Sequence, residues 1–260
     1  MTGKAPHLHL YVWYERFLYV GPSKASSLHR NHAAVWLNAP EGRMRVTLAD
    51  GTLLEDMVVY LPSDTEYAAE EVATSIAALY WEPESASFHR VAERFENAPR
   101  AFHCPQDSMD AWQTLQNAAT SLADAERLAA KLFCLAETDF VTVSPRDTGE
   151  DSRVTAALAF LRESPQLYGS LEALAEKVHL SPSRFAHIFK RVVGVPVRRY
   201  VLWMKMRRAL DLAITGDSLT TAALSAGFAD SAHLSRTVRA MMGIAPEYLF
   251  RHRERLVIHR

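Results

Sequence analysis

The sequence has only two cysteines, Cys104 and Cys134, among its 260 residues. Two cysteines are too few for a disulfide framework or a zinc module, so we expect both to lie in helices as reduced, small apolar side chains. No segment approaches 18 consecutive apolar residues, which argues against a membrane-spanning helix. The segment MTGKAPHLHLYVWYERF has no basic region followed by an apolar stretch and a small-residue cleavage site. These absences lead us to expect a cytoplasmic protein.

Each part of the chain has an excess of charge of one sign, although the net charge of the whole is only −1. Residues 1–150 contain 12 Lys and Arg against 21 Asp and Glu, a net charge of −9. Residues 151–260 contain 17 against 9, a net charge of +8. This division indicates two parts with different tasks, and the basic part favours a polyanionic partner. The chain is long enough for two domains.

Residues 1–82 have the pattern of short β-strands. The segment LHLYVWY alternates, and RMRVTLADGTLLEDMVVYLP has apolar runs on either side of Asp50-Gly51, a dipeptide typical of a hairpin turn. Gly21-Pro22, Ala39-Pro40 and Leu61-Pro62 separate further runs. Many short strands with such turns predict a small antiparallel sandwich or barrel.

From Pro83 onward the apolar residues recur at helical spacing. The segments SASFHRVAERFEN, SMDAWQTLQNAATS and LADAERLAAKLFCLAE predict helices within about 84–137. An apolar stripe runs along the third helix and consists of Ala125, Leu128, Ala129, Leu132 and Ala136. Such a stripe packs either on the β domain, which is the default, or on a second copy of the chain.

The segment SPRDTGEDS, residues 144–152, combines Pro, Gly, Ser and charge without periodicity, as linkers do. It separates a first domain, residues 1–143, from a second, residues 153–260. The predicted fold class is α+β. An N-terminal small antiparallel β domain (about 1–82) followed by helices (about 84–137) precedes a C-terminal all-α domain.

The basic half contains an internal repeat. LEALAEKVHLSPSRFAHIFKRVVGVP aligns with LTTAALSAGFADSAHLSRTVRAMMGIAP. Leu171 matches Leu219 at an offset of 48 residues, and Gly194 matches Gly243 at an offset of 49. Each copy predicts a short helix, a tight turn, a second helix and a glycine at the helix end, where a left-handed residue is common.

Both copies meet the physical needs of a helix-turn-helix. Ala175 and Ala223 are small enough for two steeply crossing helices to approach closely. Ser181 and Asp230 are good N-caps for the second helix of each copy, and Pro182 suits the first helical position. Phe185, Ile188, Phe189 and Val192 in the first copy, and Leu234, Val238 and Met241 in the second, are predicted to be buried.

The opposite faces of these second helices carry small, hydrogen-bonding and cationic side chains, which suit base edges and phosphates in a major groove. The candidate DNA-binding residues are Ser183, Arg184, His187, Lys190 and Arg191 in the first copy, and Ser231, Ser235, Arg236 and Arg239 in the second. Ala186 and Ala232 also face outward but rank lower. The alternative interpretation is that both are ordinary amphipathic helices whose polar faces contact only solvent. The presence of two copies with the same pattern disfavours this alternative.

Between the copies, VRRYVLWMKMRRALDLAIT has no helix breaker and predicts one long helix. Its length of roughly 28 Å is of the order of the ~34 Å between successive major grooves on one side of B-DNA. Arg198 is a further candidate DNA contact. Arg199, Lys205, Arg207 and Arg208 either join it on phosphates or pair with Asp211 or Glu247.

Residues 153–253 resemble the AraC/XylS family of transcription regulators. The segment LAEKVHLSPSRFAHIFKRVVGVPVRRY is similar to the first helix-turn-helix of that family, and GFADSAHLSRTVRAMMGIAPEYLFR is similar to its signature. The matching positions are Gly227, Phe228, Asp230, His233, Arg236, Gly243, Pro246 and Arg251. Leu234 and Val238 stand where the family usually has phenylalanine. The resemblance implies two helix-turn-helix motifs joined by a long helix, and a role for His233 in supporting its helix.

The first half more loosely resembles the cupin-like sensory domain of such regulators. In VVYLPSDTEYAAEE, Thr65-Glu66-Tyr67 replaces the proline and histidine that are common in relatives. His29 and His32 are the only cupin-like metal candidates, and without a later histidine near Tyr67 they form a weak ligand set. We therefore expect surface or hydrogen-bonded histidines, no metal, no cofactor and no catalytic residues. The aromatic residues Tyr11, Trp13, Tyr19, Trp36, Tyr60 and Tyr80 are either core or the walls of a ligand pocket.

The leading functional hypothesis is a sequence-specific DNA-binding transcription regulator, not an enzyme, that binds two consecutive major grooves. A small-molecule effector at the N-terminal domain is expected to modulate it. Its partners are double-stranded promoter or operator DNA, RNA polymerase and a second copy through helices within 85–136; no membrane is involved. The alternatives are a metal-dependent cupin-type enzyme with an appended DNA-binding module, and an architectural DNA binder with little sequence preference.

Overall fold

The computed structural model describes residues 8–13, 15–72, 74–104, 108–117, 121–136, 140, 149–163, 171–247 and 256–259. The chain divides into two units. The first comprises Met1–Val143, Met242–Ile244 and Arg251–Arg260, and the second comprises Ser144–Met241 and Ala245–Phe250. No helix within the described ranges combines the length and apolarity needed to cross a membrane.

The described residues of the first unit form two β-sheets and three helices. Its strands are β1 Leu8–Val12, β2 Arg16–Pro22, β3 His29–Arg30, β4 Ala34–Asn38, β5 Met44–Leu48, β6 Leu53–Asp56, β7 Val58–Leu61, β8 Glu66–Ala69, β9 Ser75–Trp81, β10 Arg100–Phe102 and β11 Leu256–His259. Its helices are α1 Ala86–Arg94, α2 Ser108–Asn117 and α3 Leu122–Leu132. One sheet has the order β10-β7-β4-β9-β2-β1-β11 and the other β3-β8-β5-β6.

Both faces of the seven-stranded sheet are covered. On β4, Trp36 joins a core cluster with residues of α1, α2 and α3, whereas Val35 and Leu37 join a cluster with β5 and β8 of the second sheet. Successive side chains of a strand point to opposite faces, so all five residues of β4 are buried. The predicted hairpin at Asp50-Gly51 joins β5 to β6, and Gly51 has the positive φ of 87° that such a turn requires.

The apolar stripe of α3 packs within the chain. Ala125, Ala129 and Leu132 are fully buried against the core that contains Trp36, Leu128 is partly buried there, and Ala136 is exposed. Of the two interpretations of this stripe, packing on the β domain is the one that the structure adopts. Of the six aromatic residues in question, Tyr11, Trp36 and Tyr60 are fully buried core residues.

Two strands lie outside the predicted β region. The strand β10 lies between α1 and α2 and pairs with β7. The strand β11 pairs in parallel with β1, whereas the other strand pairs among the described residues are antiparallel. The C-terminal part of the chain is therefore not helical throughout.

The prediction that both cysteines are reduced and helical is wrong. Cys104 and Cys134 form a disulfide, with their Cα atoms 6.2 Å apart. Cys104 follows β10 and Cys134 follows α3, so neither lies inside a helix. They meet because the end of α3 lies beside the start of α2, where the Ser108 hydroxyl donates to the Lys131 carbonyl. The number of cysteines in a sequence does not predict this contact between helices.

The helices of the second unit are α4 Gly149–Glu163, α5 Leu171–Lys177, α6 Pro182–Val193, α7 Val197–Ile214, α8 Leu219–Ser225 and α9 Ser231–Met242. Val154 and Leu161 of α4 pack with Phe185 and Phe189 of α6 and with Tyr200 of α7 in one core. Because α4 begins at Gly149, residues 149–152 of the predicted linker are helical. Residues 144–148 lie outside the described part of the chain.

Candidate nucleic-acid interface

The two copies of the repeat form two helix-turn-helix motifs with the same local geometry. The helices α5 and α8 each have seven residues and begin at the matched positions Leu171 and Leu219. The helices α6 and α9 each have 12 residues. Ala175 and Ala223, the predicted close-contact positions, are fully buried.

The two turns share the hydrogen bond that closes the first helix of each motif. In the first copy, the Leu180 amide donates to the Ala175 carbonyl at 2.9 Å, and in the second the Phe228 amide donates to the Ala223 carbonyl at 2.9 Å. This pattern closes the end of a helix and needs one left-handed residue. His179 fills that position in the first copy with φ 55°, and Gly227 fills it in the second with φ 83°.

Because a residue with a Cβ is strained in the left-handed conformation, we expect His179→Gly to stabilise the second unit by about 1 kcal/mol. Gly227→Ala places a Cβ at the equivalent position and should destabilise it by a similar amount. Urea unfolding followed by circular dichroism measures both changes. The equivalence of the two turns would be contradicted if His179→Gly did not stabilise the second unit and Gly227→Ala did not destabilise it.

The second helix of each motif begins at the predicted cap. The Ser181 hydroxyl accepts a hydrogen bond from the Arg184 amide at 3.3 Å, and the Asp230 carboxylate accepts one from the His233 amide at 2.6 Å. Both helices end at a left-handed glycine, Gly194 with φ 86° and Gly243 with φ 69°. These caps satisfy backbone groups that a helix leaves unpaired.

The apolar faces of α6 and α9 are buried as predicted, with one exception. Phe185, Ile188, Phe189, Leu234, Val238 and Met241 are at most 4% exposed. Val192 is only partly buried, and Val193 takes the core position instead. Both valines are compatible with helical spacing from Phe185 and Phe189, so the pattern alone does not choose between them.

The structure places most of the candidate DNA-binding side chains in solvent. The exposed candidates are Ser183, Arg184, His187, Lys190 and Arg191 of α6, Arg198 of α7, and Arg236 and Arg239 of α9. Ser231 and Ser235 are partly exposed, Ala232 is exposed and Ala186 is partly buried. Of the signature residues, Arg251 lies outside the described residues.

His233 supports α9, in accordance with the role implied by the resemblance. Its ring lies edge-to-face against Phe228, with the ring centres 5.1 Å apart. Its carbonyl accepts a hydrogen bond from the Thr237 hydroxyl at 3.0 Å. The ring contact joins the turn to the helix, and the hydrogen bond lies within α9.

The connecting helix α7 has 18 residues and is therefore about 27 Å long. Not all of its cations are oriented towards solvent. The Lys205 ammonium donates to the Gly227 carbonyl at 3.2 Å, at the turn of the second motif. Burial lowers the pKa of Arg207 to about 10, an effect that Asp211 partly opposes. These two side chains have structural partners, whereas Arg198 is exposed.

The histidines considered as metal ligands are buried in the first unit. His29 lies on β3 beside Tyr67 of β8, with the ring centres 4.3 Å apart, and its Nδ1 atom lies 2.8 Å from the Ser27 carbonyl. Burial lowers the pKa of His29. His32 is also fully buried. Within the described part of the chain, no three His, Cys, Asp or Glu residues are grouped so as to hold a metal ion.

Part of the chain is similar to two known transcriptional activators. The bifunctional transcriptional activator/DNA repair enzyme Ada of Escherichia coli strain K12 is 31% identical over 100 residues, which are 38% of this chain and 27% of Ada. The HTH-type transcriptional activator RhaS of Escherichia fergusonii is 30% identical over 109 residues, 42% of this chain and 39% of RhaS. The chain thus matches well under half of the length of either relative.

Over most of its length the chain has the fold of ToxT from Vibrio cholerae. The TM-score is 0.56 at 12% sequence identity, and the superposition covers 91% of this chain and 98% of ToxT. At this identity the likeness concerns the fold alone. It agrees with the predicted α+β class, with an N-terminal β part and C-terminal helices.

Residues 174–252 match the family model described as a helix-turn-helix domain. This range begins within α5 and covers the rest of both motifs and the helix α7 between them. The N-caps of α6 and α9, Ser181 and Asp230, lie in this same segment. The second unit therefore carries a double helix-turn-helix domain, which is similar to that of the AraC/XylS regulators that the sequence resembles.

Proposed function

We propose that the protein is a sequence-specific DNA-binding transcription regulator whose helices α6 and α9 enter two consecutive major grooves. The observation that carries this proposal is the duplication: two motifs with matching turns and caps each bury an apolar face and expose a polar, cationic one. The helix α7, about 27 Å long, joins them, and successive major grooves lie ~34 Å apart.

The candidate residues divide by chemistry. Arg184, Lys190, Arg191, Arg198 and Arg239 are proposed to contact phosphates, which position the protein without reading sequence. The base-reading candidates are Ser183 and His187 of α6, and Ser231, Ser235 and Arg236 of α9. Arginine is the best suited of these, because its guanidinium can donate two hydrogen bonds to one guanine.

Selection of genomic fragments by the purified chain tests the proposal. We expect enrichment of a shared motif with two parts separated by about one helical turn, and binding that weakens steeply as salt rises. Retention of fragments without a shared motif would instead favour an architectural DNA binder. Loss of all DNA binding at moderate salt would contradict both.

Ser183→Ala should change base preference at one part of the selected motif, because the hydroxyl both donates and accepts hydrogen bonds. The expected loss on the preferred base is about 0.5–1.5 kcal/mol. Ser225→Ala, the same change at an exposed position at the end of α8, is the control. Competition binding with single-base variants of the motif measures both, and an unchanged base preference would remove Ser183 from the base-reading set.

We further propose that the first unit binds a small-molecule effector. The indole nitrogens of Trp36 and Trp81 and the hydroxyl of Tyr60 are buried in one core and have no acceptor among the described residues. Burial raises the pKa of Tyr60, so its hydroxyl remains a donor at neutral pH. Buried donors without acceptors are costly, and an apolar molecule with an acceptor group would relieve that cost.

A structure of ToxT with an unsaturated fatty acid bound shares this fold, at a TM-score of 0.56 and 11% identity, which makes long-chain carboxylates the first compounds to test. A ligand that binds only the folded state raises its melting temperature. We expect stabilisation by one member of a panel of fatty acids and planar carbonyl compounds. No stabilisation by any member would contradict this part of the proposal.

We also propose that the protein acts in the cytoplasm and has no enzymatic activity. The repair activity in the name of Ada belongs to a protein of which the alignment covers 27%. Metal analysis of the purified chain tests the alternative of a metal-dependent cupin-type enzyme.

RNA polymerase and a second copy of the chain remain proposed partners. Because the apolar stripe of α3 packs inside the chain, a dimer through helices within 85–136 would need another face of these helices.

A further inference from the structure

We propose that Cys104 and Cys134 are a reversible thiol oxidation site, at which a peroxide joins the two thiols and glutathione separates them. The two sulfur atoms are bonded in the structure. Disulfides of reducing compartments are usually formed and broken as part of redox sensing. Only this last point depends on the proposed cytoplasmic location, and the geometry given below is independent of it.

The two cysteines differ in exposure. Cys104 is fully buried, whereas Cys134 is partly exposed at the end of α3. Susceptibility to oxidation follows exposure and thiolate character, and sensor cysteines commonly lie next to a second cysteine that completes the disulfide. The structure therefore assigns the first oxidation to Cys134 and the completing role to Cys104.

The buried thiol has a partner in the reduced state. The Cys104 sulfur lies 3.2 Å from the Leu132 carbonyl oxygen, to which a thiol can donate. Asn38 donates to the same carbonyl at 2.6 Å, and Ser108 donates to the Lys131 carbonyl at 3.0 Å. Because the Leu132 carbonyl is within reach of the Cys104 sulfur, breaking the disulfide leaves the buried thiol with a hydrogen-bond acceptor.

Cys134 also occupies a strained backbone position. Its φ is 55°, and the Leu135 amide donates to the Ala130 carbonyl at 2.8 Å, which is the pattern that usually places glycine at this position. A covalent bond to Cys104 holds this conformation. On reduction, that constraint is lost, and we expect the last turn of α3 to open more often.

The chemistry balances with a peroxide as the oxidant. The Cys134 thiolate attacks one peroxide oxygen, the O–O bond breaks, and a sulfenic acid forms while the leaving oxygen departs as water or an alcohol after taking up a proton. The Cys104 sulfur then attacks the Cys134 sulfur, the S–S bond forms, the S–O bond breaks and water leaves with the thiol proton. The two thiols supply the two electrons that reduce the peroxide.

The end of α3 is coupled to the core through Phe133. The Phe133 ring lies edge-to-face with Trp36, with centres 6.2 Å apart. A change in the last turn of α3 therefore reaches the core cluster that contains Tyr60 and Trp81. Tryptophan fluorescence should consequently differ between the oxidised and reduced protein.

Differential alkylation of the wild-type chain is the primary test. Reduced protein is treated with hydrogen peroxide and then with glutathione, and free thiols are counted by mass spectrometry after each step. We expect both thiols to disappear together, with the loss of two hydrogen atoms, and to return with glutathione. Thiols that stay free after peroxide, or a disulfide that glutathione does not reduce, would overturn the proposal.

Single variants test the assigned order. In Cys104→Ser, the Cys134 sulfenic acid should persist and react with dimedone; in Cys134→Ser, Cys104 should remain unlabelled because it is buried. Equal labelling in the two variants would overturn the order.

Hydrogen exchange on the wild-type chain supplies a readout that needs no variant. Amide protection at residues 130–135 should decrease on reduction, and identical protection in both states would contradict the expected opening of the last turn of α3. All these readouts are independent of DNA binding.

Discussion

Arg236→Ala is expected to weaken binding to the selected DNA site by about 1–3 kcal/mol, or 5- to 150-fold. Arg236 is exposed on α9, on the side opposite Leu234 and Val238, which are fully buried. An arginine that donates two hydrogen bonds to one guanine loses both when truncated. Fluorescence anisotropy with the selected site and with an unrelated duplex measures the change.

The comparison between the two duplexes decides the role of Arg236. A base contact predicts a large loss on the selected site and a small loss on unrelated DNA. A phosphate contact predicts a uniform loss and a salt dependence that is lower by about one unit of slope. Equal losses on both duplexes would therefore move Arg236 from the base-reading set to the phosphate set.

Arg153→Ala is the matched control for this experiment. Arg153 lies on α4, is exposed, and belongs to neither helix-turn-helix motif. Its replacement removes the same unit of positive charge from the second unit. We expect a change of less than about 0.5 kcal/mol, so a larger effect would show that net charge, and not position, governs the binding.

The sequence predicts the second unit well because the signals there are local. The offset of 48 residues between the copies extends to the individual turn hydrogen bonds, and the caps at Ser181 and Asp230 lie where helix chemistry requires them. Each of these features depends on residues within about one turn of each other. A single sequence contains that information directly.

The features that the sequence does not reveal are pairings between distant residues. The strand β11 pairs with β1 across most of the chain, Cys104 pairs with Cys134 over 30 residues, and Arg16 forms an ion pair with Glu126. A four-residue strand or a single charged residue has no periodic pattern from which its distant partner can be predicted. Burial lowers the pKa of Arg16, an effect that Glu126 partly opposes.

Within the candidate interface, the sequence also does not show which cationic side chains are exposed. Arg198 and Arg207 lie on one helix and look equivalent in the sequence, but Arg198 is exposed and Arg207 is partly buried near Asp211. Helical spacing identifies the faces of a helix only when one face is clearly apolar. The helix α7 packs on more than one side, with buried residues that include Val197, Tyr200, Trp203 and Met206.

The largest effect on stability is expected from Leu234→Ala, which should destabilise the second unit by about 2–5 kcal/mol. Leu234 is fully buried, and it matches Phe185 of the first motif in the repeat. Truncation removes the transfer free energy of its side chain and leaves a cavity in a core that relaxes only partly. Urea unfolding followed by circular dichroism at 222 nm measures the change.

Leu224→Ala is the matched control, because it makes the same chemical change at a leucine that is 57% exposed. Its effect should stay within about 0.5 kcal/mol. The pair also tests which face of α9 is available to DNA. If Leu234 faced outward, its truncation would alter DNA binding and leave the free energy of unfolding near the wild-type value, and Arg236, on the other side of the helix, would then face inward. Loss of stability at Leu234 with little change at Leu224 is the result that leaves Arg236 free to reach the bases.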